Sequence, residues 1–143
     1  MNLRDMLIQE EKLVQHAYKD NLGYWTIGYG RLIDERKGGK LSVAECGLLL
    51  DNDIAEKTRG TLDALPWFQR LNEPRQAVLI GMAFQMGVDG MLGFHNTLEA
   101  VRDERWQDAS DGIKRSQWAT QTPARAKRMA NQMLTGEWDP YYR

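Results

Sequence analysis

The stretch that decides the fold lies at residues 18–30 and reads YKDNLGYWTIGYG. Its DNLG segment, at 20–23, is typical of a tight turn, because Asp and Asn side chains bond to nearby backbone and Gly tolerates a positive φ. The segment from Tyr24 to Tyr29 is rich in aromatic and β-branched residues, which favours a strand. Bulky and small residues alternate along it, so one face leaves room for a ligand to approach the backbone. We therefore predict a β-hairpin.

Helix signals lie on both sides of this hairpin. Asn2, followed by apolar residues at helical spacing, predicts a capped helix that ends near Glu11. Ser42 and Glu45 have the spacing of a capping box, which predicts a long helix through about Thr61.

The remaining helix signals lie in the C-terminal half. Periodic apolar residues predict three helices, at 75–86, 96–103 and 105–112. A last helix is predicted with Thr122 as its cap, Pro123 at its first position and Gly136 at its end. The predicted fold class is α+β, with a small sheet near the N-terminus and helices elsewhere.

Composition limits the class of protein. A chain of 143 residues has the usual size of one domain. With 42% hydrophobic and 27% charged residues, it has enough apolar surface to fold, which argues against a disordered chain. The single Cys46 excludes an internal disulfide, and two His residues are too few and too scattered for a metal site. GYG at 28–30 lacks the third Gly of a dinucleotide fingerprint, because Ile33 occupies that position. From these observations together we expect neither a metal nor a cofactor.

Charge is uneven along the chain. The net charge is -1, without the basic excess of a dedicated nucleic-acid binder. No acid interrupts residues 112–136, which contain five cations, namely Lys114, Arg115, Arg125, Lys127 and Arg128. A solvated helix face and an anion-contact surface explain this basic patch equally well.

Two acids flank the first strand of the hairpin. Glu11 lies near the end of the first helix and Asp20 lies at the turn, so the two could face a common cleft. Glycoside hydrolysis requires two carboxyl groups on opposite sides of the scissile bond. The chain has 20 acidic residues, however, so this pair alone is weak evidence for that chemistry.

The residues around these acids follow a longer pattern. Glu11 is followed after eight residues by Asp20, and after five more by TIGYG at 26–30. This pattern resembles the T-even bacteriophage lysozymes, a glycoside hydrolase family of phage-type muramidases often called endolysins. The resemblance resumes in FQMG at 84–87, GFHNT at 93–97, QTPARAKR at 121–128 and TGEWD at 135–139. It therefore spans nearly the whole chain.

The resemblance implies one lysozyme-like domain over residues 1–143, with a cleft between two lobes. The small β-hairpin lobe and its connecting helix would span about 12–60, and the helical lobe 1–11 and 61–143. The implied activity is hydrolysis, with inversion, of the β-1,4 bond between N-acetylmuramic acid and N-acetylglucosamine in bacterial peptidoglycan. The implied role is host cell lysis.

The resemblance also implies roles for individual residues. Glu11 corresponds to the general acid that protonates the glycosidic oxygen. Asp20 corresponds to the ionised partner that orients a water or stabilises positive charge at the sugar, and Thr26 to the residue that holds the attacking water. Six further residues are expected to bind substrate, namely Gly30, Leu32, Phe84, Gln85, Thr97 and Arg125.

The sequence departs from the family at several places. Arg31 replaces a His that pairs with an acid of the long helix, so we expect an ion pair between Arg31 and Asp53. Gly112 replaces an Asn that contacts glycan, and Leu22 replaces an acid near the turn. The connection between hairpin and long helix is shorter by over a dozen residues than in the family.

The expected partner is the peptidoglycan glycan strand, bound by a monomer. The N-terminal residues carry charges every few positions, so we expect no signal peptide and no membrane insertion. The chain would remain in the host cytoplasm after synthesis and reach the wall in the periplasm with the help of a separate pore-forming protein. We expect no nucleic-acid partner.

Three other functions remain as alternatives. A wall-binding module without activity would keep the cleft and lose an acid, yet Glu11, Asp20 and Thr26 are all present. A nucleic-acid contact protein would use the cations from Arg115 to Arg128, and its binding would fall steeply with salt. A hydrolase of chitin-like polymers would keep the same residues and differ only in the glycan that it cleaves.

Overall fold

The chain forms one helix, three strands and then further helices. The computed structural model describes residues 2–33 and 40–142. Its elements are α1 (Leu3–Glu11), β1 (Val14–Lys19), β2 (Trp25–Gly28), β3 (Arg31–Leu32), α2 (Val43–Ala64), a 3-10 helix (Pro66–Arg70), α3 (Glu73–Leu92), α4 (His95–Arg102), α5 (Trp106–Lys114), α6 (Gln117–Gln121) and α7 (Pro123–Thr135). Residues 1–50 and 51–143 form two compact units, here called the N-terminal and C-terminal units. The predicted α+β class is confirmed, whereas the lobe limits that the resemblance implies stay a prediction.

Helix α1 begins and ends where the sequence predicts. The Asn2 side chain accepts a hydrogen bond of 2.9 Å from the Asp5 backbone N–H, which satisfies one free donor of the first turn. The helix ends at Glu11, and Lys12 leaves it with a φ of 60°. This left-handed value is uncommon for a residue with a side chain. Glu11 therefore lies at the junction of helix and sheet.

The sheet is antiparallel, with the order β1-β2-β3. Thr26, in the central strand, pairs with Tyr18 on one side and with Leu32 on the other. The β1–β2 register is irregular, because Val14 pairs with Gly28 whereas Tyr18 pairs with Thr26. Between these two pairs β1 has three residues where β2 has one, and a bulge of this kind bends the strand that contains it.

Helix α2 begins at the predicted capping box. The Ser42 backbone N–H donates to Glu45 Oε1 and the Glu45 N–H donates to Ser42 Oγ, both at 3.1 Å. The helix continues to Ala64, a little beyond the predicted end at Thr61. The local signal therefore fixes the start of the helix better than its end.

The hydrophobic core lies in the C-terminal unit. Leu79 of α3, Val101 of α4 and Ile113 of α5 are fully buried. Helix α7 packs against α3, α5 and α6 and contributes the buried Met133. Full burial of a side chain of this size stabilises the fold by about 1.5–3 kcal/mol.

Helix α3 is longer than predicted and contains a break. It spans Glu73–Leu92, whereas the sequence predicts a helix over 75–86. Gly87 has φ 81° and ψ 159°, which are not helical values and which glycine adopts at low cost. The predicted end therefore coincides with the break, and the helix resumes after it.

The last helix starts at Pro123 and stops at Gly136, as predicted. Gly136 has a left-handed φ of 72°, which is a common way for a helix to end. Thr122, however, does not act as the predicted side-chain cap. Its hydroxyl donates instead to the Trp118 carbonyl at 3.1 Å, because α6 ends immediately before it and offers that acceptor.

Among the described residues, one bent pair of helices has the length and the composition needed to cross a membrane. No single helix within residues 2–33 and 40–142 is long and apolar enough to do so. The pair consists of α3 and α4, which are bent by 101° relative to each other.

Candidate active site

The Glu11 carboxylate packs against the backbone of Gly30. A Cβ added to Gly30 would overlap Glu11 Oε2 and lie 2.8 Å from Glu11 Cδ, so a larger residue cannot fit without moving the acid. Gly30 also has a φ of 67°, which residues with side chains rarely adopt. The resemblance implies that Gly30 contacts substrate. In the structure, the space beside Gly30 is occupied by the Glu11 side chain.

Asp20 organises the hairpin turn through its side chain. Its Oδ1 accepts the backbone N–H groups of Leu22 and Tyr24, both at 2.9 Å. Its own N–H donates to the Tyr24 carbonyl at 2.8 Å. These bonds hold the carboxylate in one orientation and do not use Oδ2. Leu22 in place of the family's acid does not disturb this turn, because the turn uses only the backbone of that residue.

Thr26 lies on the central strand beside this turn. It is 5% exposed, and its hydroxyl donates to the Tyr24 carbonyl at 3.2 Å. The same carbonyl accepts the Asp20 N–H, so the Tyr24 backbone links Asp20 to Thr26. A hydroxyl has one proton to donate and two lone pairs. Thr26 can therefore accept a hydrogen bond from a water while its own proton is engaged.

The N-terminal unit thus contains the groups that glycoside hydrolysis needs. Glu11 lies beside Gly30 at one end of the β1–β2 hairpin, and Asp20 lies at the turn at the other end. A carboxylic acid can donate a proton, and a fixed carboxylate can orient a water. Within the described ranges, no group of three or more His, Cys, Asp or Glu could hold a metal ion.

Arg31 pairs with a different acid from the one expected. Its Nη2 lies 2.8 Å from Glu45 Oε2, whereas the resemblance implies a pair with Asp53, two turns further along α2. The capping box explains the difference, because it already fixes the Glu45 carboxylate near the start of α2. Hydrogen bonds with Ser42 lower the pKa of Glu45, and the bond from the Ser42 backbone N–H has the largest effect. The charge of Arg31 lowers that pKa further.

The remaining predicted substrate contacts differ in accessibility. Leu32 on β3 and Phe84 on α3 are about two-fifths exposed, at 38% and 41%, and Gln85 is also exposed. Arg125 is half-buried, and its Nη2 donates to the Gly81 carbonyl at 3.2 Å. This bond ties α7 to α3, which is a structural role that the sequence does not predict.

Thr97 is buried where the sequence predicts a glycan contact. Its side chain is only 6% exposed, and it packs against Gly112 at the contact between α4 and α5. A Cβ on Gly112 would overlap Thr97 Oγ1 and lie 3.3 Å from Thr97 Cβ. The glycine that replaces the family's Asn therefore makes room for Thr97. The predicted glycan contact of Thr97 stays a prediction.

A depression of about 360 Å³ lies in the C-terminal unit beside the FQMG and GFHNT stretches. Its lining residues come from both stretches and from α6 with its N-cap, namely Met86, Gly93, Phe94, Ser116, Gln117, Trp118 and Gln121. In the part of the chain that the structure describes, the buried Trp118 indole N–H has no acceptor. The sequence does not indicate the α6 residues, because this five-residue helix is too short to show a period.

Comparison with known proteins identifies the family of this chain. The model of the phage lysozyme family matches residues 8–133, which include Glu11, Asp20 and Thr26. The chain belongs to the phage lysozyme family. It is therefore a glycoside hydrolase that acts on peptidoglycan.

Relatives include whole lysozymes and segments of longer proteins. Probable T4-type lysozyme 1 of Dictyostelium discoideum is 29% identical over an alignment that covers 98% of each chain. The pre-baseplate central spike protein Gp5 of Enterobacteria phage T4 is 31% identical over 99% of this chain and 29% of its own length. The peptidoglycan hydrolase gp36 of Pseudomonas phage phiKMV is 31% identical over 92% of this chain and 15% of its own length.

Proposed function

We propose that this lysozyme cleaves the β-1,4 bond between N-acetylmuramic acid and N-acetylglucosamine, with Glu11 as the general acid and Asp20 as its ionised partner. The observation that carries the proposal is the packing of the Glu11 carboxylate on Gly30. If Glu11 were only the last residue of a helix, its carboxylate would not require a glycine with a positive φ, Gly30, beside it. Family membership supports the same assignment.

In the proposed reaction, Glu11 transfers its proton to the glycosidic oxygen as the bond to the leaving sugar breaks. A water on the opposite face of the sugar, bound by Thr26 Oγ1, attacks the anomeric carbon and passes a proton to Asp20. The Asp20 charge also stabilises the positive character of the sugar in the transition state. This reaction inverts the anomeric configuration and requires the two carboxyl groups to lie about 6.5–9.5 Å apart, so that the water fits between them.

Replacement of Glu11 tests the acid. Glu11→Gln keeps the shape of the side chain and removes the acidic proton, so clearing of permeabilised bacteria should fall by about 10²–10⁴-fold. Glu10→Gln is the matched control, because Glu10 is the neighbouring exposed acid of the same helix, and it should clear like the wild type. Equal clearing by Glu11→Gln and the wild type would show that the proposed mechanism is wrong.

Two variants of Asp20 separate its charge from its role in the turn. Asp20→Asn keeps an oxygen that can accept both backbone N–H groups, so it should lose activity and remain folded. Asp20→Ala should lose both activity and stability. The stereochemistry is read from the first-formed reducing end by proton NMR. An initial α-anomer supports inversion, and an initial β-anomer contradicts it.

The substrate and the biological role are tested separately. Purified peptidoglycan should release soluble fragments, whereas soluble chitin oligomers should stay intact, and the opposite result would favour a chitin-like substrate. We also propose that the enzyme serves host lysis as an endolysin, made in the cytoplasm and admitted to the wall by a separate pore-forming protein. Expression in bacteria should then cause lysis only when such a protein is co-expressed, and lysis by the lysozyme alone would contradict this route.

A further inference from the structure

Part of the basic patch surrounds a depression in the C-terminal unit. Lys114, near the end of α5, and Lys127 and Arg128, of α7, line a hollow of about 470 Å³. The other lining residues are Asn131, Leu134, Asp139 and Tyr141. The volume lies within the range of about 300–1,000 Å³ that is usual for small-molecule sites. We call this hollow the basic hollow.

The three cations of the basic hollow outnumber the acid beside them, which is Asp139 and which acts electrostatically on Arg128. No salt bridge engages Lys114 or Lys127 in residues 2–33 and 40–142, and both side chains are exposed. Of the described lining residues, Asp139 alone is acidic, and its two oxygens accept hydrogen bonds from Asn131 Nδ2 at 3.1 Å and from the Tyr141 N–H at 3.0 Å. Three cations and one carboxylate leave an excess of positive charge.

Arg128 is held in place by aromatic rings. Its guanidinium carbon lies 4.1 Å from the centroid of the Tyr141 ring and 5.9 Å from that of Tyr142. Stacking of this kind fixes a guanidinium plane and reduces the entropy lost when it binds an anion. The Tyr141 side chain is 68% exposed, so it presents an aromatic surface beside the charges.

Arg128 also lines a second hollow of about 380 Å³. There it lies with Arg125 and with Trp138, whose side chain is 48% exposed. Cationic groups and exposed aromatic rings therefore lie together in the walls of both hollows of the C-terminal unit. A solvated helix face would not need rings that order a guanidinium, so this arrangement favours the anion-contact interpretation of the basic patch.

We propose that the basic hollow binds the phosphate ester of a sugar or polyol. Two ammonium groups and a fixed guanidinium match the charge and the several acceptor oxygens of a phosphate better than a single carboxylate does. The hollow extends beyond what a bare phosphate fills, and Tyr141 offers a surface for the C–H groups of the attached carbon chain. This site is separate from the proposed catalytic residues and does not depend on their assignment.

The same phosphate chemistry occurs in soluble esters and in lipid headgroups, so the experiment has two arms. Isothermal titration calorimetry of the full chain with glycerol 3-phosphate measures the soluble ester. Co-sedimentation with phosphatidylglycerol vesicles, compared with phosphatidylcholine vesicles, measures the headgroup. Binding in either arm that is lost in Lys114→Gln/Lys127→Gln supports the proposal and identifies the source of the phosphate.

The double variant should weaken binding by at least about 10-fold, since each lysine contributes a charge-assisted contact. The exposed pair Arg59→Gln/Arg70→Gln, in the same unit, is the charge-matched control and should bind like the wild type. All three proteins should clear peptidoglycan suspensions equally, which separates this site from the catalytic one.

Two results would overturn the proposal. One is the absence of binding in both arms, or binding that both double variants retain equally. The other is binding of a single-stranded oligonucleotide at concentrations where glycerol 3-phosphate and the vesicles do not bind. That outcome would identify a nucleic-acid surface instead.

Discussion

The two units of the molecule differ in what fixes their side chains. In the C-terminal unit, residues such as Leu79 and Ile113 are fully buried in a continuous hydrophobic core. Among the described residues of the N-terminal unit, Thr26 alone is buried. There the surroundings of Glu11 and Asp20 are set by a helix end, a glycine and a hydrogen-bonded turn.

This difference separates stability from activity. Burial of apolar surface contributes free energy in proportion to the area removed from water, and most of that area lies in the C-terminal unit. A hydrogen bond adds only about 0.5–1.5 kcal/mol, yet it can orient a reacting group. Changes in the C-terminal core should therefore lower stability first, and changes around Glu11 should lower activity first.

The largest expected effect is on stability in the core. Leu79→Ala removes a fully buried side chain and leaves a cavity, so the free energy of unfolding should fall by about 2–5 kcal/mol. Leu48→Ala is the control from the N-terminal unit, where this side chain is 70% exposed, and it should change stability by less than about 0.5 kcal/mol. Urea denaturation measures both, and equal losses would contradict the proposed division between the units.

The second effect is on activity and uses a pair of glycines in the hairpin. Gly30→Ala puts a Cβ where the Glu11 carboxylate lies, and a displacement of about 1 Å can lower kcat by about 100-fold. Gly28→Ala is the matched control, because Gly28 has a similar φ of 70° with nothing within 4 Å of the added Cβ. Both variants place a side chain at nearly the same positive φ, so the overlap with Glu11 is what distinguishes them. If kcat falls equally in both, strain rather than the Glu11 contact is responsible.

The sequence predicts the features that depend on close neighbours. The Asn2 cap, the capping box of Ser42 and Glu45 and the Gly136 stop each involve groups within one turn of a helix, and each is present. Very short elements show no full period and are not predicted, such as the two residues of β3. The predicted hairpin requires a strand before its turn, but no pattern sets the bounds of β1, where a bulge interrupts the alternation of faces.

The sequence does not predict contacts between distant residues. The packing of Glu11 on Gly30 and the ion pair of Arg31 with Glu45 depend on how the hairpin folds back on its flanks. No periodicity encodes such contacts. The resemblance identifies the catalytic candidates and implies Asp53 as the partner of Arg31, which stays a prediction. The structure pairs Arg31 with Glu45, whose carboxylate is already ordered by a helix cap.

The third effect concerns the end of α7. Arg75 donates from Nε and Nη2 to the carbonyls of Met133 and Leu134 at 2.9 and 3.0 Å, and its guanidinium carbon lies 3.7 Å from the centroid of the Trp106 ring. Arg75→Met should lower the free energy of unfolding by about 1–3 kcal/mol, because buried acceptors lose their donors. Arg75→Lys should recover only part of this loss, since one ammonium cannot replace the planar fork. Urea denaturation tests this, and full recovery by lysine would contradict the bidentate contact.

The smallest effect concerns the ion pair between Arg31 and Glu45. The Arg31 side chain is 61% exposed, and exposed pairs contribute little stability. Bonds from Ser42 and the charge of Arg31 lower the pKa of Glu45 below its ordinary value of 4.5. Their stabilising contribution is therefore present above pH 4.5 and is lost as the pH falls through the lowered pKa.

The variant R31H should move this dependence to the neutral range. The carboxylate of Glu45 favours the charged imidazole and therefore raises the pKa of the introduced histidine. The ion pair is fully formed below about pH 6.5, and it is lost as the pH rises through the raised pKa. Because Arg31 follows Gly30, which packs on Glu11, the ratio of variant to wild-type kcat should fall across this range while the Tm moves by at most a few degrees. The double variant R31H/E45Q should show no such fall. A large shift in Tm across this pH range, with a constant ratio of variant to wild-type kcat, would contradict this expectation. It would mean that the exposed pair stabilises the fold and does not orient the acid.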